Sequence, residues 1–256
     1  MNLGAGLRLA LGLLTIIPVR PPEKIGREQA RVAMLVAPLA VLPVTVVAAG
    51  LGWGGLALGL PPALAGVLVV GALAVGTRAM HLDGLADTVD GLGSGKDASG
   101  ALEIMRRGDV GPMGAVALIV VLIAQVVASG VLLERPWGWL LLALLLAAAR
   151  GALVMGCLAN VPAARPDGLG ALVAGSVDRT TSSLHSVLLV AAVLATSVFA
   201  GQPLWQGMLA LAVMVMATVW LYVRAVVRLG GITGDVLGAA VEVAATALLV
   251  VSAISV

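Results

Sequence analysis

Three aspartates at helical spacing form the strongest chemical signal in this sequence. They lie in the segment His81-Leu-Asp-Gly-Leu-Ala-Asp-Thr-Val-Asp-Gly, and in an α-helix Asp83, Asp87 and Asp90 fall within about 60° of one another around the axis. Carboxylates this close repel one another unless a cation neutralises them. Because hard oxygen ligands suit Mg²⁺ or Mn²⁺, we predict a metal site and catalytic centre here, with a solvated acidic helix end as the alternative.

Two residue types beside the aspartates also suit a catalytic centre. The imidazole of His81 titrates near neutral pH, so it could serve as a general base or a metal ligand. Gly84 and Gly91 have no side chain, and we expect them to let a bulky ligand approach the acidic face closely.

A second charged segment follows at Glu103-Ile-Met-Arg-Arg-Gly-Asp. Glu103 is predicted to complete the metal shell. The planar guanidinium groups of Arg106 and Arg107 are suited to charge-assisted hydrogen bonds with phosphate oxygens of a substrate. The alternative for either arginine is a side chain that reaches along the membrane surface to anionic lipid.

A glycine-rich loop, Gly230-Gly-Ile-Thr-Gly-Asp, precedes the last predicted helix. Unpaired N–H groups at a helix N-terminus attract anions, so Gly234 and Asp235 are predicted to bind substrate, with Asp235 as a second-tier metal ligand. The alternative is that Thr233 and Asp235 only cap the helix.

Membrane helices must position these segments, because 61% of the 256 residues are hydrophobic and only 11% are charged. A bilayer core needs roughly 20 apolar residues per helix. The predicted spans, surrounded by membrane lipid, are 32–51, 62–80, 112–133, 137–158, 184–200, 204–227 and 236–256. We therefore predict an all-α, polytopic helical bundle of about seven transmembrane helices that forms one domain over residues 1–256. A net charge of +2 without a basic block argues against nucleic-acid binding.

The positions of Lys and Arg predict the orientation of the chain. These residues gather before the first span and in the loops 81–111, 159–183 and 228–235, whereas the other predicted loops contain only Arg135. The positive-inside rule places the basic loops in the cytoplasm. We predict a multi-pass protein of the cytoplasmic membrane whose active site faces the cytoplasm. Residues 98–107 predict a short amphipathic helix that lies on the membrane surface.

Two charges fall inside predicted spans. Glu242 and Arg150 lie about 10 and 12 Å from the cytoplasmic ends of their helices, at 1.5 Å per residue, so they are candidate partners. Charges inside a membrane are normally paired or functional. The sequence leaves a structural ion pair and a role in the site equally open.

Together these segments resemble the cobalamin synthase family, the adenosylcobinamide-GDP ribazoletransferases. The matching residues are the acidic segment from His81, Glu103-Ile-Met-Arg, the Gly111 and Gly114 pair, Gly234-Asp235 through Gly238-Ala239, and the early phrase Leu14-Thr-Ile-Ile-Pro-Val. The resemblance covers nearly the whole chain, and the aspartate segment is its most specific part. One departure is Arg107, which stands where family members commonly have an aspartate.

The resemblance implies the last assembly step of the cobalamin nucleotide loop. A ribose hydroxyl of α-ribazole, or of its 5′-phosphate, attacks the cobinamide-bearing phosphorus of adenosylcobinamide-GDP and expels GMP, with Mg²⁺ as the expected cofactor. Such chemistry depends mainly on charge neutralisation and an oriented nucleophile. We therefore expect Asp83, Asp87 and Asp90 to hold the metal, Arg106 to bind phosphate, and His81 or an aspartate to deprotonate the hydroxyl.

Two other functions are compatible with acidic groups on membrane helices. A transporter places its ionisable groups near the midplane and often has internal symmetry, whereas most carboxylates here fall at the predicted cytoplasmic edge. A CDP-alcohol phosphotransferase also uses aspartates on membrane helices, but its usual spacing of paired aspartates does not fit Asp83, Asp87 and Asp90. The nucleotide-loop enzyme is therefore the preferred prediction.

Overall fold

The computed structural model describes residues 3–254, and this part of the chain is helical, without a β-strand. A 3-10 turn at Ala149–Gly151 joins two of the α-helices. The α-helices are α1 (Leu3–Leu14), α2 (Arg27–Leu35), α3 (Ala37–Ala57), α4 (Pro62–Gly76), α5 (Met80–Gly93), α6 (Ala98–Ile104), α7 (Pro112–Leu133), α8 (Gly138–Ala148), α9 (Ala152–Gly156), α10 (Gly168–Val173), α11 (Arg179–Phe199), α12 (Leu204–Leu229) and α13 (Gly234–Ser252).

Six helical segments in the described chain are long and apolar enough to cross a membrane. They are α3, α7, the continuous segment of α8 and α9, α11, α12 and α13. Helices α4 and α5 meet the same criterion only as a pair, and the pair is bent by 90°. The predicted polytopic all-α bundle is confirmed, with six spans, or seven if the bent pair is one broken span.

The first predicted span, 32–51, is wrong in its boundaries. Helix α2 ends at Leu35, and α3 begins as a new helix at Ala37 with Pro38 in its first turn. A proline lacks the N–H that a continuing helix needs, and its ring clashes with the preceding turn. Helix α3 then continues to Ala57, beyond the predicted end.

The later spans agree more closely with the helices. The prediction 112–133 coincides with α7. The prediction 184–200 starts too late, because Asp178 caps α11 by accepting the N–H of Thr181 at 2.9 Å. The prediction 236–256 corresponds to α13, although residues 255 and 256 lie outside the described chain.

The predicted second span, 62–80, is divided by a 90° bend, because α4 ends at Gly76 and α5 begins at Met80 in a new direction. Arg78 and Ala79 have φ angles of 57° and 52°, a left-handed conformation that is unfavourable for residues with a Cβ. The guanidinium of Arg78 donates to the backbone carbonyls of Gly12 and Thr15. A contact with the end of α1 therefore holds the turn that redirects α5.

Helix α13 lies at the centre of the bundle and α11 at its edge. In an apolar stretch of 18 residues of α13, 67% of the residues are buried inside the protein, whereas 17% are buried in the corresponding stretch of α11. Helix α13 packs against α5, α7, α8 and α12. Its N-terminus is therefore brought next to the acidic helix α5.

Helix α6 is the amphipathic helix predicted in the 81–111 loop. Asp97 caps it by accepting the N–H of Gly100 at 3.0 Å, and this hydrogen bond lowers the pKa of the Asp97 carboxyl. Ala101 and Met105 on its apolar side are buried, and Met105 fills the space beside Gly91 of α5. The apolar side of α6 therefore packs on α5.

Candidate active site

A cavity of about 390 Å³ opens where α5, the N-terminus of α13 and the loop before α10 meet. Its lining includes Asp83 of α5, Arg106 after α6, and Gly234 and Asp235 of α13. Segments far apart in the sequence thus converge on one space that contains both acidic and basic groups.

The aspartates on the acidic side of α5 differ in their exposure. Asp83 is exposed to the cavity, whereas Asp87, one helical turn further, is only 8% exposed. The charged groups that act electrostatically on Asp87 are Asp83, Asp235, Asp90 and Arg165. Three like charges around a fourth favour the binding of a cation among them.

Asp90 is the most firmly held of the three aspartates on α5. Its carboxylate oxygens accept the backbone N–H groups of Gly111 at 2.8 Å and Gly114 at 2.9 Å. These N–H groups lie at the start of α7, where a helix cannot satisfy them itself. A Cβ at Gly114 would lie 2.3 Å from the carboxylate. Asp90 therefore fixes α7 to α5. Only the remaining lone pairs of its carboxylate are left for a metal.

The N-terminus of α13 is capped and also borders the cavity. The hydroxyl of Thr233 accepts the N–H of Val236 at 3.2 Å and donates to the carboxylate of Asp235 at 3.1 Å. Thr233 is thus the N-cap, while Gly234 and Asp235 in the first turn line the cavity. The partial positive charge of the helix end is available to an anion there.

Arg165 and Asp167 also line the cavity, and no role was predicted for them. Arg165 donates through Nη2 to the carbonyl of Leu102 at 2.6 Å, and its Nη1 lies 3.7 Å from the Asp235 carboxylate. Its side chain is 16% exposed. Asp167 accepts a hydrogen bond from Arg106 at 3.2 Å. Arg165 is therefore a second basic group of the site.

Backbone pairing between two loops places Arg165. The N–H of Ala164 donates to the carbonyl of Ile232, and the N–H of Ile232 donates to the carbonyl of Pro162, both at 2.9 Å. Because this pairing uses backbone groups, it cannot be recognised from the residue types of either loop. The available signal was that Arg165 and Asp167 fall in a loop predicted to be on the same side of the membrane as the aspartates.

Glu103 and Arg107 lie apart from the cavity. They form an ion pair with each other at 3.2 Å, and their side chains are 70% and 58% exposed. They line a separate groove together with Lys96 and Asp97. The structure does not bring Glu103 to the aspartates of α5, nor Arg107 to the cavity that Arg106 lines.

His81 lies behind the cavity, in the contact between α5 and α13. It is buried, and neither ring nitrogen has a hydrogen-bond partner among residues 3–254. Its backbone packs against Gly238. Because a general base must reach the proton it removes, this position favours an aspartate over His81 for that role.

At Gly84 and Gly91, other parts of the protein approach α5 closely. A Cβ at Gly84 would lie 2.7 Å from the carbonyl oxygen of Asp235, and one at Gly91 would lie 2.5 Å from the Met105 side chain. The expectation that they make room for a bulky ligand is wrong. They allow α5 to pack closely on α13 and α6, as small residues do between membrane helices.

The donor groups of the site suit Mg²⁺, although the protein does not supply a complete set of ligands. Within the described residues, no three His, Cys, Asp or Glu side chains are grouped so that they could hold a metal ion by themselves. Mg²⁺ commonly uses one or two carboxylates together with water and substrate phosphates. Asp83 and Asp87, on successive turns of α5, would be the two carboxylates for an ion that binds together with a phosphorylated substrate.

Comparison with known proteins gives matches along nearly the whole chain. A family model described as cobalamin-5-phosphate synthase matches residues 6–253. A protein from Nocardioides sp. named adenosylcobinamide-GDP ribazoletransferase is 45% identical over 242 residues, which cover 94% of this chain and 95% of the relative. A relative of the same name from Frankia casuarinae is 40% identical over 268 residues, covering 97% and 94%. No solved structure matches.

Proposed function

Because the chain belongs to the cobalamin-5-phosphate synthase family, we propose that it is a Mg²⁺-dependent transferase of the cobalamin nucleotide loop. Its substrates are adenosylcobinamide-GDP and α-ribazole or α-ribazole 5′-phosphate. Its products are GMP and adenosylcobalamin or adenosylcobalamin 5′-phosphate. The observation that carries the proposal is one cavity lined by the carboxylates of Asp83 and Asp235 and the guanidinium groups of Arg106 and Arg165.

In the proposed reaction, a ribose hydroxyl oxygen forms a bond to the cobinamide-bearing phosphorus, and the bond from that phosphorus to the GMP oxygen breaks. Arg106 and Arg165 bind the diphosphate oxygens, and the N-terminus of α13 adds its partial positive charge. Asp83 and Asp87 would hold Mg²⁺, which when bound neutralises charge on the phosphate oxygens. Asp235 or Asp167, the other two carboxylates that line the cavity, then accepts the hydroxyl proton.

We place the enzyme in the cytoplasmic membrane with the cavity on the cytoplasmic side. The support is the distribution of basic residues: the loops that contribute Arg106 and Arg165 are among those rich in Arg and Lys. Soluble nucleotide substrates then reach the site without crossing the membrane.

The test is an assay of GMP release by the purified protein in lipid nanodiscs, with adenosylcobinamide-GDP, α-ribazole and Mg²⁺. The wild type is expected to form GMP and the corrinoid product in equal amounts, and chelation of Mg²⁺ is expected to stop both. Asp83→Asn is expected to lower kcat about 100-fold, as loss of a charge-stabilising group does. Asp109→Asn, an exposed carboxylate outside the cavity, is the matched control and should keep the wild-type rate.

Two results would contradict different parts of the proposal. A wild type that is inactive with the corrinoid but turns over a CDP-alcohol would refute the reaction. Equal activity of Asp83→Asn and the wild type would remove the metal role of Asp83 and leave the reaction class intact.

A further inference from the structure

Four buried polar side chains meet in the apolar interior next to the cavity. His81 belongs to α5, Gln125 to α7, Arg150 to the 3-10 turn after α8, and Glu242 to α13. They are 3%, 2%, 1% and 7% exposed, and the surrounding core consists of aliphatic side chains. Ionisable groups inside a membrane bundle are costly and normally mark functional positions, yet the proposed reaction uses none of the four directly.

One hydrogen bond and longer-range electrostatic interactions link the four side chains, here called the buried polar network. Nε2 of Gln125 donates to Glu242 at 2.8 Å. Arg150 interacts electrostatically with both Glu242 and His81, and its Nη1 donates to the carbonyl of Leu146 at 2.6 Å. The network therefore runs from α7 through α13 and the 3-10 turn to α5.

The network contains unused and complementary hydrogen-bonding groups. In the described chain, Nε and Nη2 of Arg150 and both ring nitrogens of His81 have no partner. An arginine only donates, whereas a neutral imidazole has one nitrogen that accepts. Unpaired polar groups in a core lower stability, and apolar residues often replace a buried charge pair without loss. Buried polar groups that lower stability are expected mainly at positions where they contribute to function.

The network is built on the two helices that carry the site. His81 precedes Asp83 by two residues, and Glu242 follows Asp235 by seven, which is about 10 Å along α13. The two helices are closely packed at this point, because a Cβ at Gly238 would lie only 3.3 Å from the Cα of His81. A displacement of His81 or Glu242 therefore moves α5 relative to α13, and with them Asp83 relative to Asp235.

We propose that Arg150 is a positioning residue for the reaction, acting through Glu242 and His81. Its guanidinium balances the Glu242 charge and reaches the imidazole of His81 through one water molecule, and so fixes α5 against α13. The effect of this arrangement on catalysis rests on the proposed function, whereas its effect on the position of α5 does not.

The test replaces the charged pair with apolar side chains in Arg150→Leu/Glu242→Leu. Since neither charge is left uncompensated, the double variant is expected to fold and to unfold in detergent near the wild-type temperature. Its kcat is expected to fall about 10- to 100-fold, with KM for adenosylcobinamide-GDP changed by less than about twofold, because the groups are misplaced but still present. Amide hydrogen exchange in residues 80–93 is expected to be faster, which reports α5 independently of activity.

Arg135→Leu is the matched control. Arg135 also donates to backbone carbonyls, those of Ser252 at the end of α13 and of Ile254 just after it, remote from the cavity. The Arg135→Leu variant should leave kcat and the amide hydrogen exchange of α5 unchanged. Wild-type kcat and unchanged exchange in the double variant would overturn the positioning role.

A second variant decides the question if the double variant does not fold. Arg150→Lys keeps the charge beside Glu242 but lacks the planar set of donors. A reduced kcat with wild-type KM supports the proposal, and a wild-type kcat overturns it. If the wild type itself releases no GMP, the proposed function fails, while the exchange of α5 in the variants still decides the positioning role.

Discussion

Arg165 joins the cavity to two other elements, because its guanidinium contacts a carbonyl of α6 and a carboxylate of α13. Arg165→Leu is expected to lower kcat/KM for adenosylcobinamide-GDP about 10- to 100-fold, since a hydrogen bond to a charged group contributes about 1.5–3 kcal/mol. Arg165→Lys should be intermediate, because lysine keeps the charge and loses the planar fork. Steady-state kinetics with Arg224→Leu, on the exposed face of α12, as control would check this. An unchanged kcat/KM in Arg165→Leu would rule out the phosphate-binding role.

Asp90 is expected to affect stability more directly than the other aspartates of α5. Asp90→Ala leaves two N–H groups at the start of α7 without their acceptor, which should lower the free energy of unfolding by about 1–3 kcal/mol. Asp90→Asn retains one acceptor and should lie between Asp90→Ala and the wild type. The measurement is thermal unfolding in detergent, with kcat determined on the same samples. An Asp90→Ala protein that is as stable as the wild type but inactive would assign Asp90 to the chemistry.

The aspartates could be found from the sequence and Arg165 could not, for a physical reason. Carboxylates are rare in a chain that is 61% hydrophobic, and the spacing of Asp83, Asp87 and Asp90 survives in any helix, even one that is bent away from its predecessor. The place of Arg165 depends on hydrogen bonds between the loops 162–164 and 232. Those hydrogen bonds involve backbone groups, which every residue type has.

The turn before α5 had only a weak signal in the sequence, Gly76 at the end of α4. Residues 77–79 include neither glycine nor proline, the usual signals for a helix break. The left-handed backbone at Arg78 and Ala79 is held by hydrogen bonds to α1, more than 60 residues earlier in the chain. The helices themselves were predictable from long apolar stretches, and the direction of α5 was not.

The close contact of α5 with α13 gives a prediction for this pair of helices. In Gly84→Ala the new Cβ meets the Asp235 carbonyl oxygen at 2.7 Å, and backbone cannot move aside easily. We expect the free energy of unfolding to fall by about 1–3 kcal/mol, as overpacking does, together with kcat. Gly93→Ala on the same helix is the control, because its Cβ would meet only the Met113 side chain at an ordinary 3.5 Å. Equal losses in both variants would show that the contact with α13 is not the cause, because Gly→Ala by itself raises helix propensity at both positions.

The arrangement of the whole chain agrees with the apolar and charged patterns in the sequence. Long apolar stretches became helices, and the cavity formed among segments that the positive-inside rule assigns to one side. The broken pair α4 and α5 is the exception, because its geometry comes from contacts between helices and not from hydropathy. The side of the membrane on which the cavity opens is therefore the property that an experiment should determine next.

Labelling of single cysteines from one side of the membrane tests the orientation. Asp109 and Glu134 are exposed and flank α7, whose 22 residues span about 33 Å at 1.5 Å per residue. Cys157 is buried, so the wild type should give little background. In intact cells, a membrane-impermeant maleimide is expected to modify Glu134→Cys, and to modify Asp109→Cys only after the membrane is permeabilised. The reverse pattern would place the cavity on the outer side, where a nucleotide-activated substrate made in the cytoplasm could not reach it without transport.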